Sequence, residues 1–146
     1  MVGVVLVTHG SLGASLKETA EWVLGCALDG FEVVGLDPSI SPDRQMTLIE
    51  AAVRRVGSSG AVILTDLFGG TPQNLALTLL VDGRVDVVSG VNLPMLLALP
   101  SDRAATMNPG ELAAVLARKG SGAIVVASET LRRHRDASKE MPALQP

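Results

Sequence analysis

The sequence predicts an α/β fold, a doubly wound and mostly parallel five-stranded sheet with helices on both faces. Short runs of branched aliphatic residues alternate with stretches of helical periodicity, the pattern of repeated strand–helix–strand units. The runs are apolar along their whole length, as in Val4-Val5-Leu6-Val7 and Ala61-Val62-Ile63-Leu64, which marks strands buried on both faces. Hydrophobic residues make up 47% of the chain but aromatic ones only 2%, so Val, Leu, Ile and Ala must build the core. A length of 146 residues suits one domain with a single substantial core. Residues 1–129 are read as that domain, and 130–146, where apolar periodicity fades, as a polar C-terminal tail.

Residues 2–8 read as the first strand. Residues 14–28 follow as a helix with Leu16, Ala20, Val23, Leu24 and Ala27 on one face. Gly30 breaks it, and residues 31–37 form the second strand. Ser41-Pro42 is a cap followed by a first-turn proline, opening a helix through Leu48, Ile49, Ala52 and Val56 that stops at Gly57. Residues 61–66 make the third strand. Thr71-Pro72 is read as another cap and first position, opening a helix to about residue 81. Residues 85–89 are the fourth strand, and residues 93–99 a short apolar helix that Pro100 ends. Asn108-Pro109-Gly110-Glu111 matches a capping box, its helix ends near Gly120, and residues 123–127 read as a fifth strand.

The net charge of −3 gives no basic footprint for nucleic acid or anionic lipid. Scarce aromatics also remove the stacking platforms of single-strand binders. Arg132-Arg133-His134-Arg135 is followed by Asp136 and Glu140 and is read as a solvated tail. Cys26 is the sole cysteine, so no intrachain disulfide or paired-cysteine zinc or redox motif is expected. Its neighbours Trp22, Leu24 and Leu28 suggest a small buried hydrophobe. No signal peptide or membrane span is expected, and the protein is placed in the cytoplasm.

Chemistry near neutral pH has few places to reside in a chain with two histidines. His9 ends the first aliphatic run, before Gly10, at the carboxyl edge of the sheet where open α/β sheets bind ligands. It is open to reading as a nucleophile, a metal ligand or a packed core residue. Three segments end strands at that edge: Thr8-His9-Gly10, Asp66-Leu67-Phe68-Gly69-Gly70-Thr71-Pro72 and Gly90-Val91-Asn92. A carboxylate at Asp66 suits an orienting role, accepting a bond from one ring nitrogen and leaving the other with an outward lone pair. A plain loop cap is the alternative. The Gly69-Gly70-Thr71 turn suits backbone donors to an anion at a helix start, with the Thr71 hydroxyl either capping the helix or donating to a phosphate oxygen. The turn lacks the lysine and spacing of a nucleotide-binding P-loop.

These blocks, extended to Asp66–Asn74 and Gly90–Leu96, resemble the IIA components of the mannose-type bacterial sugar phosphotransferase system over roughly residues 1–128. The resemblance implies that His9 carries a phosphoryl group on Nε2, received from the phosphohistidine of a carrier similar to HPr. It also implies that Asp66 bonds Nδ1, and that Gly10, Leu67, Phe68, Gly69, Gly70 and Thr71 surround the phosphate. No metal or other cofactor is implied. The onward partner is a IIB component, serving sugar uptake through a membrane permease, or a regulatory protein that reads the phosphorylation state. No fused IIB domain is expected. The resemblance further implies a homodimer in which the strand at 123–127 adds antiparallel to the partner's sheet. Three other readings stand beside it: a small tetrapyrrole metal chelatase, a histidine phosphatase, and a non-catalytic binding module. The chelatase would want a second histidine near the first, and the phosphatase an arginine where Thr8 stands.

Overall fold

The fold was obtained as a computed structural model, which describes residues 1–99 and 107–140. Strand β1 (Gly3–His9) lies inside a four-stranded parallel sheet, flanked by β2 (Phe31–Leu36) and β3 (Ala61–Thr65), with β4 (Val85–Ser89) beyond β3. The order is β2-β1-β3-β4, and Val7 stands opposite Val34 on one side and Thr65 on the other.

The two-residue period of the strands divides the aliphatic residues between two cores. Val4, Leu6, Val62 and Leu64 face α1 (Leu12–Leu24), α4 (Leu93–Leu97) and α5 (Pro109–Gly122), meeting Ala20, Leu96, Leu112 and Leu116. Val5, Val7, Val34 and Ile63 face α2 (Pro42–Val56) and α3 (Thr71–Leu77), meeting Ile49, Ala52 and Ala76. Each fully buried aliphatic side chain contributes roughly 1.5–3 kcal/mol, so the continuous runs of β1 and β3 stabilise both layers at once.

The first four strands and five helices fall where the periodicity puts them, apart from their ends. Asn108 caps α5 in the expected box, its side chain accepting from the Glu111 amide at 3.0 Å while Glu111 accepts from the Asn108 amide at 2.9 Å. Helix α1 differs, stopping at Gly25 in a left-handed cap (φ 69). Ala27 therefore never joins the apolar face, Val23 is half exposed and Trp22 is 82% exposed. Cys26, expected to be buried, lies exposed on the turn beyond the helix. Pro100, the expected stop of the short apolar helix, lies outside the described residues.

The fifth strand is not formed within the chain. Ile124–Val126 is neither helical nor paired as a strand among the described residues, with exposures of 79%, 69% and 57%. Only Ala123 separates it from the end of α5, too short a link to turn back along β4. The Val126 carbonyl then accepts from the Glu129 and Thr130 amides, which starts α6 (Ala127–Glu140). An aliphatic triplet becomes a strand only where an edge is within reach. The boundary expected at 129/130 thus falls inside a helix. No helix among the described residues is long and apolar enough to cross a membrane.

Leu64→Ala is expected to lower the free energy of unfolding by about 2–5 kcal/mol. Asn108→Ala, which removes only the cap of α5, should cost about 1 kcal/mol. Urea titration followed by circular dichroism checks both, and equal effects would contradict this division between core and cap.

Candidate active site

From β1 the chain passes first to β2 on one side and then to β3 on the other, so the loops after β1 and β3 part company. Such a switch point opens a crevice at the carboxyl ends of the strands. His9 is the last residue of β1, and Asp66 directly follows β3. They meet there. The Asp66 Oδ2 atom accepts the His9 backbone N–H at 2.8 Å and faces the ring Nδ1 at 3.0 Å. The carboxylate is 10% exposed and the imidazole 53%.

Burial pushes the Asp66 carboxyl upward, but the two hydrogen bonds and the charge of the His9 ring outweigh it and hold the group below its ordinary value of 3.8. An ionised carboxylate only accepts hydrogen bonds, so the proton of a neutral His9 ring belongs on Nδ1, and Nε2 presents a lone pair. The other carboxylate oxygen, Oδ1, is buried and makes no hydrogen bond among the described residues.

Two further contacts fix the surroundings of the ring. The Thr8 hydroxyl oxygen, fully buried, accepts the Gly13 amide at 2.8 Å and anchors the start of α1 to the end of β1. Gln45, 5% exposed, donates from Nε2 to the carbonyls of Asp37 at 2.7 Å and Ile40 at 3.1 Å. That holds the loop carrying Pro38, which lines a cavity of about 260 Å³ with His9, Gly10, Leu36, Gln45 and Thr71.

The turn after Asp66 departs from expectation in detail. The N-cap of α3 is Gly70, so Thr71 is its first residue and its hydroxyl is not the cap. The Gly69 amide does not face the ring's surroundings as a free donor; it donates to Gln73 Oε1 at 2.8 Å. Gly70 approaches the imidazole so closely that a Cβ there would lie 3.0 Å from Cε1 and 3.6 Å from Nε2. Leu67 and Phe68 stand 59% and 81% exposed on the rim. The third segment lies behind the site. The Gly90 and Val91 amides both donate to the Thr65 carbonyl at 2.9 Å, while Asn92 caps α4 and donates to the Gly120 carbonyl at 3.1 Å. Gln45 escaped the sequence reading because nothing local marks it. Gln73 carried a signal, standing at the third helical position, where glutamine often reaches back to an amide before the helix.

Among the described residues no group of three or more His, Cys, Asp and Glu side chains is placed to hold a metal ion. A family model described as the PTS system fructose IIA component matches residues 3–116. The chain belongs to this IIA family. As a IIA component it is a phosphotransferase of the sugar phosphotransferase system. It is 33% identical over 108 residues to the fructose-specific EIIA component of Bacillus subtilis (strain 168), covering 70% of this chain and 71% of that one. The sorbose-specific EIIA component of Lacticaseibacillus casei is 32% identical over 95 residues, covering 64% and 68%. The mannose-specific EIIAB component of Escherichia coli (strain K12) is 35% identical over 100 residues, and there the match spans 65% of this chain and 30% of the relative. Among solved structures, a phosphotransferase EIIA component from Streptococcus agalactiae shares the fold with a TM-score of 0.78 at 23% identity, covering 88% of this chain and 99% of the other. The IIA protein associated with the fucose utilization operon of Streptococcus pneumoniae gives 0.75 at 26% identity, covering 90% and 99%.

Nitrogen-15 chemical shifts of His9 should show the neutral ring protonated at Nδ1, and Asp66→Ala should remove that bias. Because the folded Asp66 is depressed, its stabilising contribution is present above its unfolded pKa and is lost as pH falls through the lower folded value. A pH titration in which the His9–Asp66 contact breaks well above the ordinary carboxylate range would contradict this.

Proposed function

We propose that His9 accepts a phosphoryl group on Nε2 from the phosphohistidine of an HPr-like carrier and passes it to a IIB component in the cytoplasm. The observation that carries this reading is the 3.0 Å contact between Nδ1 and Asp66 Oδ2, which leaves Nε2 as the nucleophile of a half-exposed ring. The Nε2 lone pair attacks phosphorus, and the bond between phosphorus and the donor nitrogen breaks with its electron pair returning to the donor ring. The Nδ1 proton stays in place, so the ring of phosphorylated His9 is cationic beside the Asp66 carboxylate, which stabilises it. The reaction is chiefly a matter of position and electrostatics, and this chain's own groups supply both.

Around the incoming phosphoryl group stand Gly10, Leu67, Phe68, Gly69, Gly70 and Thr71. Thr71 lines the cavity beside His9 and, no longer a cap, has its hydroxyl available as a donor. Gly69 and Gly70 contribute space and shape, since the Gly69 amide is already engaged. Exposed Leu67 and Phe68 give the carrier an apolar rim to dock on. A IIB acceptor is supported by the Escherichia coli relative's description as an EIIAB component. A regulatory protein that reads the phosphorylation state would use the same surface, and the membrane is reached only through a permease complex. Membership of the IIA family sets aside the chelatase, phosphatase and binding-module readings.

Two copies are proposed to exchange their 123–127 segments. Apart from the bridge of Val85 to Val81, no strand pairs with the outer edge of β4 among the described residues, and Ile124–Val126 is apolar and exposed. Added antiparallel to the partner's β4, the segment would complete a fifth strand and cover two aggregation-prone features together.

Incubation with phosphoenolpyruvate, enzyme I and HPr should give acid-labile phosphate on the protein. The label should vanish in His9→Ala and form about 100-fold more slowly or worse in Asp66→Ala. No label with any HPr-like donor would defeat the phosphocarrier reading. For the dimer, Val125→Asp should convert a dimeric sedimentation profile to a monomeric one, and a wild-type protein that sediments as a monomer at micromolar concentration would exclude the exchange.

A further inference from the structure

We propose that Gln73 is a positioning residue for His9, holding the Leu67–Gly70 turn in the shape that leaves Nε2 open to a phosphoryl group. The inference rests on the phosphohistidine reading of the site.

Gln73 is 5% exposed on the buried side of α3, beside Pro72 and Ala76. A polar side chain in that setting is costly unless it is hydrogen-bonded. Its Oε1 accepts the Gly69 amide at 2.8 Å, across a gap of four residues. The Gly70 carbonyl accepts the Asn74 amide at 3.0 Å as the first bond of α3, and the remaining bonds of the turn are poorer: the Gly70 amide reaches the Leu67 carbonyl at 3.3 Å, and Asn74 Nδ2 reaches the Gly69 carbonyl at 3.4 Å. Leu67 and Phe68 project to solvent, so packing of their side chains does little to fix the turn. Gln73 therefore makes its best-formed bond.

What it fixes matters because of Gly70. This residue lies against the Cε1 and Nε2 side of the imidazole with no room to spare for even a methyl group. Gly69, at φ 79, adopts a backbone conformation that side-chain-bearing residues rarely reach, and a relaxed turn would have many alternatives to it. A shift of a few tenths of an ångström at Gly70 moves the wall of the very space the phosphoryl group crosses as its bond passes from the donor nitrogen to Nε2. Misplacement of about 1 Å costs such reactions on the order of 100-fold. Among the described residues Gln73 is hydrogen-bonded to neither His9 nor Asp66, and its bond to the Gly69 amide makes it act through the turn.

Gln73→Met keeps the size and removes the acceptor. With the full chain and saturating phosphorylated HPr, the rate of labelling should fall about tenfold or more, with little change in KM for the carrier. Amide exchange at Gly69 should accelerate, while the His9 nitrogen-15 shifts stay as in the wild type, because the Asp66 contact is intact. Gly69→Ala strains the same turn from the other side, so the double variant should be no slower than the slower single one. A wild-type rate in Gln73→Met, or losses that multiply in the double variant, would overturn the proposal. Should Gln73→Met fail to fold, Gly69→Ala alone decides, and a wild-type labelling rate there overturns it. If the wild-type protein takes no label at all, it is the phosphohistidine reading that fails and this one falls with it. A labelled wild type with an equally fast Gln73→Met removes only the role of Gln73.

Discussion

A single carboxylate oxygen, Asp66 Oδ2, receives both the backbone N–H and the ring nitrogen of His9. Those residues are 57 positions apart in the chain, and only the order of the strands makes them neighbours. Because β1 and β3 are adjacent and parallel, their ends finish at the same edge. The backbone bond fixes where the carboxylate sits relative to the strand. The ring bond then fixes which face and which nitrogen the imidazole presents, so one oxygen sets both position and tautomer.

The supporting contacts extend that arrangement outward by the same means. Thr8 ties the next helix to the strand end, Gln45 ties down the loop after β2, and the amides of Gly90 and Val91 tie the chain after β4 to the end of β3. Each joins a buried polar atom to a backbone group that the regular structure leaves unpaired. The aliphatic sheet beneath supplies stiffness, and the polar contacts of the candidate site gather at the edge where the strands stop.

Much of this was legible in the sequence. The unbroken aliphatic runs of β1 and β3 carry their double burial openly, and the capping box at Asn108 is a local rule satisfied locally. His9 and Asp66 were legible because strand ends on one edge converge whatever the loops do. The rest depended on tertiary reach. Ile124-Val125-Val126 has strand composition, yet the chain arrives there one residue after a helix and pairs with no strand of its own sheet among the described residues. Helix α6 carries Leu131 as its one large apolar side chain, so no apolar stripe announced it. Cys26 is exposed rather than buried because α1 stops at Gly25, before the residue reaches the core. For Thr71 the sequence left capping and phosphate donation open, and the structure makes Gly70 the cap while Thr71 lines the cavity.

The exposed end of α1 has an optical consequence. Trp22 is the only tryptophan, the chain has no tyrosine, and the indole is 82% exposed. Ultraviolet-excited emission from this protein therefore arises at one surface point and is already that of a water-surrounded ring in the native state. Loss of the core changes that emission little, whereas anything that settles over the end of α1 shifts it to shorter wavelength.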